Sequence, residues 1–456
     1  GLPAAAFSEF ASIYSENGGG YLFSSRTFEH EYLVYAIGAM LFLGYTGTTA
    51  FYLATMDEWV FRFVLPESLG VPGLGTLHPH ALPHGTAGVT VAVLLGALNA
   101  RGTEESGTFQ LLVTGAKVAV LIAFIAGAVS YAGPTEATTT FANDFSTDAV
   151  GIVSVSALAF ITFFGFSAIA ASAGEIIEPR KTVPRAIAAS IGTVTVLYAL
   201  VIVAMVNTPQ NLPGTTLTRA EALQQGETAM GVIASAFLGP AGQTLIVAGA
   251  IFSMVSASNA SILAASGIGS LMGRQGQAPR RFSRIHPQYG TPFWSVTGAT
   301  VTIVALIVVF IGAFPAEGDP VPVELTLSLP VVGATTFTDL GLPSLTGFAT
   351  LNLLLPLSVV NVALVYSRRR FPDVERGFRV PGVPLVPAVG VVANLALIYN
   401  LPFKGVVTGL VVIVALLLAY FAWGGAPDVD ELLQKVVEPE PPAVASPETG
   451  GEAAER

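Results

Sequence analysis

Residues Val150 to Ile177 read VGIVSVSALAFITFFGFSAIAASAGEII, with one charge, Glu175, near the end. As a single α-helix these 28 residues would reach about 42 Å, against a hydrocarbon core of about 30 Å. Tilt or a break must take up the excess. Gly165 lies in the middle, within Phe163-Phe164-Gly165-Phe166-Ser167, where a break would fall. A lone glycine in an apolar helix also serves as a packing contact, so from these residues alone both readings stand. A discontinuous helix would matter for function, because freed N–H and C=O groups and two half-helix dipoles can hold a charged solute at the midplane.

The surrounding chain has the composition of a membrane protein. Of its 456 residues 52% are apolar and 11% are charged, against about 25% charged in soluble domains. Its 48 glycines suit close helix approach in lipid. Cysteine is absent, which excludes thiol redox chemistry, Cys-ligated zinc and iron–sulfur clusters. Apolar runs of membrane-spanning character occur at 33–60, 85–101, 108–131, 150–177, 184–207, 242–272, 293–313, 344–367, 383–400 and 403–423. These are ten full spans of an all-α polytopic membrane protein. Gly1 to Tyr14 adds an apolar, helix-compatible stretch of about 21 Å, too short to cross.

Loop charge tests that division independently. Alternate loops carry Arg26; Arg101; Arg180, Lys181 and Arg185; Arg274, Arg280, Arg281 and Arg284; and Arg368, Arg369, Arg370, Arg376 and Arg379, fourteen bases in all. The intervening loops are acidic, with Arg62, Arg219 and Lys404 their only bases. The basic loops are therefore assigned to the cytoplasm. From Gly425 onward there are eight acids and two bases, so the tail holds −6 of the net −10. Residues 1–423 are expected to form the transmembrane domain. Residues 424–456, rich in Pro, Glu and Ala, are expected to form an acidic disordered cytoplasmic tail. Gly1 would then lie on the outer face with no signal peptide before it, so further N-terminal sequence is expected.

Lys117 is the only base well inside a span. An ionisable residue there marks a functional site by default. Snorkelling is the structural alternative, but from about 14 Å inside the helix a side chain of about 6 Å reaches only part of the way. Tyr45, Thr48 and Thr49 lie mid-span, where hydroxyls contact substrate or bond between helices. Glu9 is close to the inner end of the first helical stretch and reads as an interfacial or gate residue. Glu175 and Glu178 beside Arg180, Lys181 and Arg185 form a cytoplasmic gate or a solvated cluster. His78, His80 and His84 share an outer loop, but Pro79, Pro83 and the lack of acids between them argue against a metal site. Gly18 to Gly20 lack the strand and the Lys-Ser/Thr of a phosphate loop. No cofactor motif, catalytic triad or nucleic-acid patch is present.

Four stretches together resemble the amino acid-polyamine-organocation (APC) transporter superfamily. They are Phe164-Gly165-Phe166 through Glu175, Glu178-Pro179-Arg180-Lys181 and Pro184-Arg185-Ala186-Ile187; Glu16 to Tyr21; Asn259 to Ser266 with Pro279-Arg280-Arg281-Phe282 and His286 to Pro292; and Arg368 to Pro372 with Phe378 to Pro381. Their order and spacing cover the chain to about Trp423. The resemblance implies a LeuT-type inverted-repeat bundle of twelve helices, with the first and sixth broken at the substrate site. Val150 to Ile177 would be the sixth, and the first would precede Gly1, so the chain is expected to lack part of that site. Ser167 stands where many members carry an acid.

The resemblance also implies roles for residues. Phe163, Phe164, Gly165, Phe166, Ser167, Tyr45 and Thr49 would meet the substrate. Lys117 would take the place of a sodium ion and bridge toward Ser256, Asn259 or Ser261. Glu9, Glu175 and Arg180 would form the inner gate. The implied function is secondary transport of an amino acid or related amine by alternating access, coupled to protons or run as exchange. It implies a multi-pass protein of the cell membrane, in a prokaryote the plasma membrane. Two other readings stand beside it: a membrane solute sensor acting through its tail, and a nonfunctional truncated remnant.

Overall fold

Helix occupies each of the ten apolar runs in the computed structural model, which describes residues 2–14, 18–66, 68–71, 75–77, 82–102, 107–132, 148–163, 165–171, 176–206, 208, 211–212, 216–314, 325–329, 333–337 and 340–423. In chain order the spans are α3 (Glu31–Trp59), α4 (Thr86–Arg101), α5 (Gly107–Ala132), the pair α6 (Ala149–Phe163) and α7 (Phe166–Ala171), α8 (Pro179–Val206), α10 (Ala229–Arg274), α11 (Phe293–Ile307), α12 (Gly341–Arg370), α13 (Leu385–Tyr399) and α14 (Phe403–Trp423). Three shorter helices complete the set: α1 (Leu2–Ala11), α2 (Gly19–Ser25) and α9 (Arg219–Leu223). Wider π-turns extend α3 through Val60–Val64 and α11 through Val308–Ala313. Among the described residues six helices are long and apolar enough to cross a membrane alone. The protein is an all-α polytopic membrane protein. Among the described residues, strands are confined to two short antiparallel hairpins, Leu69–Val71 with Gly75–Leu77 and Leu325–Leu329 with Gly333–Phe337, both in links between helices.

The 150–177 run is two helices, and two other elements differ from their sequence expectation. The run expected to begin at 242 begins at Pro240, a residue well suited to start a helix, but Gly239 (φ 66°, ψ −170°) joins it through a kink to a preceding helix over 229–238 that was not expected. Of the Glu16 to Tyr21 stretch, which the family resemblance implies to be a loop, Gly19 to Tyr21 form the start of α2. There Tyr21, Leu22 and Phe23 are fully buried, and Tyr21 donates to Gln277 Oε1 at 2.7 Å. Burial of three large side chains stabilises a helix that its glycines disfavour.

The centre of the molecule is α3, packed along α10 and α12. Gly44 makes the α3–α12 approach possible: a Cβ there would stand 2.3 Å from Leu353 Cδ2. Apolar burial does not drive helices together in lipid, so such close contact replaces it. On the outside, Val196, Ile202, Leu418 and Phe421 are exposed and apolar, as a lipid-facing surface requires. The acidic segment 424–456 lies outside the described residues.

Candidate functional site

The broken span sets the first part of the site. Helix α6 stops at Phe163 and α7 starts at Phe166. Gly165 is exposed, and a Cβ built on it would meet no atom within 4 Å. The space beside Gly165, where a side chain would project, is therefore open. On the far side of the break, Ser167 is 1% exposed and its hydroxyl lies 2.8 Å from the Tyr45 hydroxyl of α3. Phe166 packs edge-on against Phe7 at 5.8 Å, and Phe163 edge-on against Tyr198 at 5.0 Å. Phe164 lies outside the described residues. Thr49 is buried one turn from Tyr45, and its hydroxyl donates to the Tyr45 carbonyl at 2.9 Å. Thr46 and Thr48 donate in the same way to Phe42 and Gly44. These threonines spend their hydroxyls within α3, whereas Tyr45 bonds between helices.

Lys117 borders a cavity of about 330 Å³ between α3, α5 and α10, lined in part by Thr55, Trp59, Val120, Ser253 and Met254. Its Nζ lies 5.7 Å from the centroid of the Phe252 ring, a cation–π distance. The part of α10 that it meets is one turn before Ser256. Asn259 is engaged elsewhere, accepting from Asn99 Nδ2 of α4 at 2.7 Å. Ser256 and Ser261 are half-buried along α10.

A third locus gathers charge at the arginine-rich end. Glu9 has no exposed surface. Arg368 grips its carboxylate with Nε at 2.9 Å and Nη2 at 2.6 Å, and the Val380 N–H adds 2.7 Å. Arg376 Nε stands 3.0 Å from Oε1 as an ion pair without hydrogen-bond alignment. Burial lowers the Arg376 pKa, while the Glu9 carboxylate acts to raise it. Ser12 accepts from the Phe378 N–H at 3.1 Å, so α1 is fastened twice to the link between α12 and α13. Arg180 meets the same link through exposed Glu375 at 3.8 Å, a weak pair in water. Glu175 lies outside the described residues.

Sequence reasoning counted Arg368 and Arg376 as loop charge and did not connect them to Glu9. It also passed over Asp57, which is 1% exposed on α3 and accepts from the N–H groups of Gly85 (2.7 Å), Ala87 (2.7 Å) and Gly88 (3.2 Å). This carboxylate caps the start of α4 from a neighbouring helix. The signal was present, since an acid near the end of an apolar run needs a partner.

Comparison with known proteins agrees with this architecture. The chain is 25% identical over 413 residues to the methylthioribose transporter of Bacillus subtilis, covering 88% of this chain and 78% of that one. It is 25% identical over 429 residues to the branched-chain amino acid permease BcaP of the same organism, covering 92% and 82%. Cationic amino acid transporter 6, chloroplastic, of Arabidopsis thaliana is 25% identical over 316 residues, covering 64% and 49%. A sequence profile of the amino acid permease family matches residues 3–423, from α1 to the last residue of α14. With all of the described helices but the first residue of α1 inside that match, the chain belongs to the amino acid permease family.

Proposed function

We propose that the chain moves an amino acid or related amine across the membrane by alternating access, coupled to protons or as exchange. Family membership makes it a membrane transporter. The interruption between Phe163 and Phe166 is the observation that carries the finer reading. An α-amino acid bears both charges. The last carbonyls of α6, at the negative end of its dipole, suit the ammonium, and the amides that follow the break suit the carboxylate. Tyr45 and Ser167 would orient the solute beside them, and the Phe163 to Phe166 rings would contact its side chain. Serine at 167 supplies no carboxylate for a second positive charge, which favours amino acids over polyamines. The LeuT-type inverted repeat is the frame in which one helix bundle would rock against the rest.

Lys117 would couple proton movement to that motion, since a fixed cation occupies the place a sodium ion would need. Glu9 and Arg180 would belong to the inner gate, closed against the α12–α13 link. The setting is the plasma membrane of a prokaryote, with the tail on the cytoplasmic side. The names of the relatives span a thio-sugar, branched-chain and cationic amino acids, so substrate choice needs a direct assay. In proteoliposomes, a panel of neutral, branched and basic amino acids and a polyamine is offered with and without a pH gradient. At least one amino acid should accumulate or exchange, and the polyamine should not. Binding with neither accumulation nor exchange would assign the chain to sensing, and accumulation of the polyamine would remove the role given to Ser167.

A further inference from the structure

The link from α10 to α11 takes no part in the proposed transport site, yet it is folded in detail. Between Gly273 and Trp294 it contains Arg274, Arg280, Arg281 and Arg284 and no acid. Phe282 anchors it. A Cβ on Gly298 of α11 would stand 2.7 Å from the Phe282 ring, and one on Gly273 of α10 would stand 3.1 Å from Phe282 Cβ. The ring thus fills a slot that only glycines leave open. Beyond it, the His286 N–H donates to the Thr291 carbonyl at 2.8 Å, and the Thr291 hydroxyl donates to the Ala100 carbonyl of α4 at 2.7 Å. The end of α4 is held there too, which brings Arg101 to the same surface.

With the apolar residue turned inward, the bases turn outward. Arg101, Arg274, Arg280, Arg281 and Arg284 are all exposed, and none makes an ion pair among the described residues. Among the described acids at this end, Glu9 pairs with Arg368, Glu29 with Arg370 and Glu375 with Arg180. Arg281 lies 5.8 Å from the ring centroid of Trp294, which is 45% exposed in the first turn of α11, and Ile285 beside it is 56% exposed. Tryptophan at a helix end marks headgroup depth. Guanidinium groups at that depth match phosphate in charge and in fork geometry.

We infer that this link is a docking surface for the headgroups of anionic phospholipids in the adjoining leaflet. The phosphodiesters bind Arg280, Arg281 and Arg284, while Trp294 and Ile285 lie against the glycerol region. Clustered bases next to a span attract acidic lipid with a gain of roughly fivefold for each arginine at low salt. The inference holds whatever solute the protein carries, so failure of the transport reading would leave it standing.

The test uses the full chain in vesicles of phosphatidylcholine and phosphatidylglycerol, with bromine on the acyl chains of one lipid or the other. Trp294 emission is taken as the difference between the protein and its Trp294→Phe variant, and quenching reports which lipid is adjacent. Brominated phosphatidylglycerol should quench at a lower mole fraction than brominated phosphatidylcholine, and added salt should erase the difference without any arginine variant. Arg280→Gln, Arg281→Gln and Arg284→Gln together should bring the two lipids to parity, while Arg185→Gln, at the same end on α8, should change nothing. Equal quenching by both lipids in the unaltered protein overturns the proposal. It is equally overturned if the preference emerges only after removal of residues 424–456, which would make the acidic tail the occupant.

Discussion

A carboxylate with no exposed surface is tolerated at Glu9 because Arg368, Arg376 and the Val380 amide surround it. Neutralising one member of a buried pair leaves the other charge without compensation, at a cost of about 3–5 kcal/mol. The Arg376 side chain is 2% exposed and cannot turn to water, whereas that of Arg368 is 26% exposed and can. Glu9→Gln should therefore lower stability in detergent by about 3 kcal/mol, the low end of that range, and Arg368→Gln by less. Equilibrium unfolding of the two variants checks the order; a Glu9→Gln protein as stable as the original would mean that the pair is only incidental. None of this was legible in sequence. Glu9 and Arg368 are 359 positions apart, and a loop rich in arginine looks the same whether its bases face lipid, water or a buried acid. Asp57 is the opposite case, because its placement near the end of an apolar run already required a partner.

At the scale of elements, hydropathy runs and alternating loop charge locate every span, since a membrane imposes length and sign on the chain directly. The break at Gly165 was one of the readings open at the sequence, because 28 residues exceed the core thickness and tilt or a break takes up the excess; the family resemblance implied the break. The bend at Gly239 and the helix after Gly18 were not, because one depends on backbone angles and the other on burial of Tyr21, Leu22 and Phe23. Gly165 itself has no positive φ and no neighbour where a Cβ would go. Gly165→Ala should thus fold with unchanged stability. If the open space beside Gly165 receives the solute, the added methyl intrudes on the solute and not on the protein, and KM should rise about tenfold, equivalent to ~1.4 kcal/mol of lost binding. Uptake kinetics and thermal melting on the same preparation separate the outcomes: unchanged KM would place the substrate away from the break.

Across the whole molecule α3 is the element common to both halves of the proposed machinery. Tyr45 joins it to Ser167 at the break, and Thr55 and Trp59 line the cavity bordered by Lys117. Ten residues of helix separate Tyr45 from Thr55, a distance of about 15 Å, so no direct contact links solute and lysine. Coupling over that distance must pass through packed elements with two arrangements, and α3 with α10 is the contiguous route. Exchange of one solute for another needs the rocking motion alone, but accumulation against a gradient needs the proton step as well. Lys117→Met keeps the apolar stem against Phe252 and removes the charge. The variant should insert normally and still exchange labelled for unlabelled substrate, while losing accumulation driven by a pH gradient. Proteoliposomes measured in both modes distinguish the cases. Loss of exchange together with accumulation would make Lys117 part of the moving framework, and gradient-driven accumulation equal to the original would remove it from the mechanism.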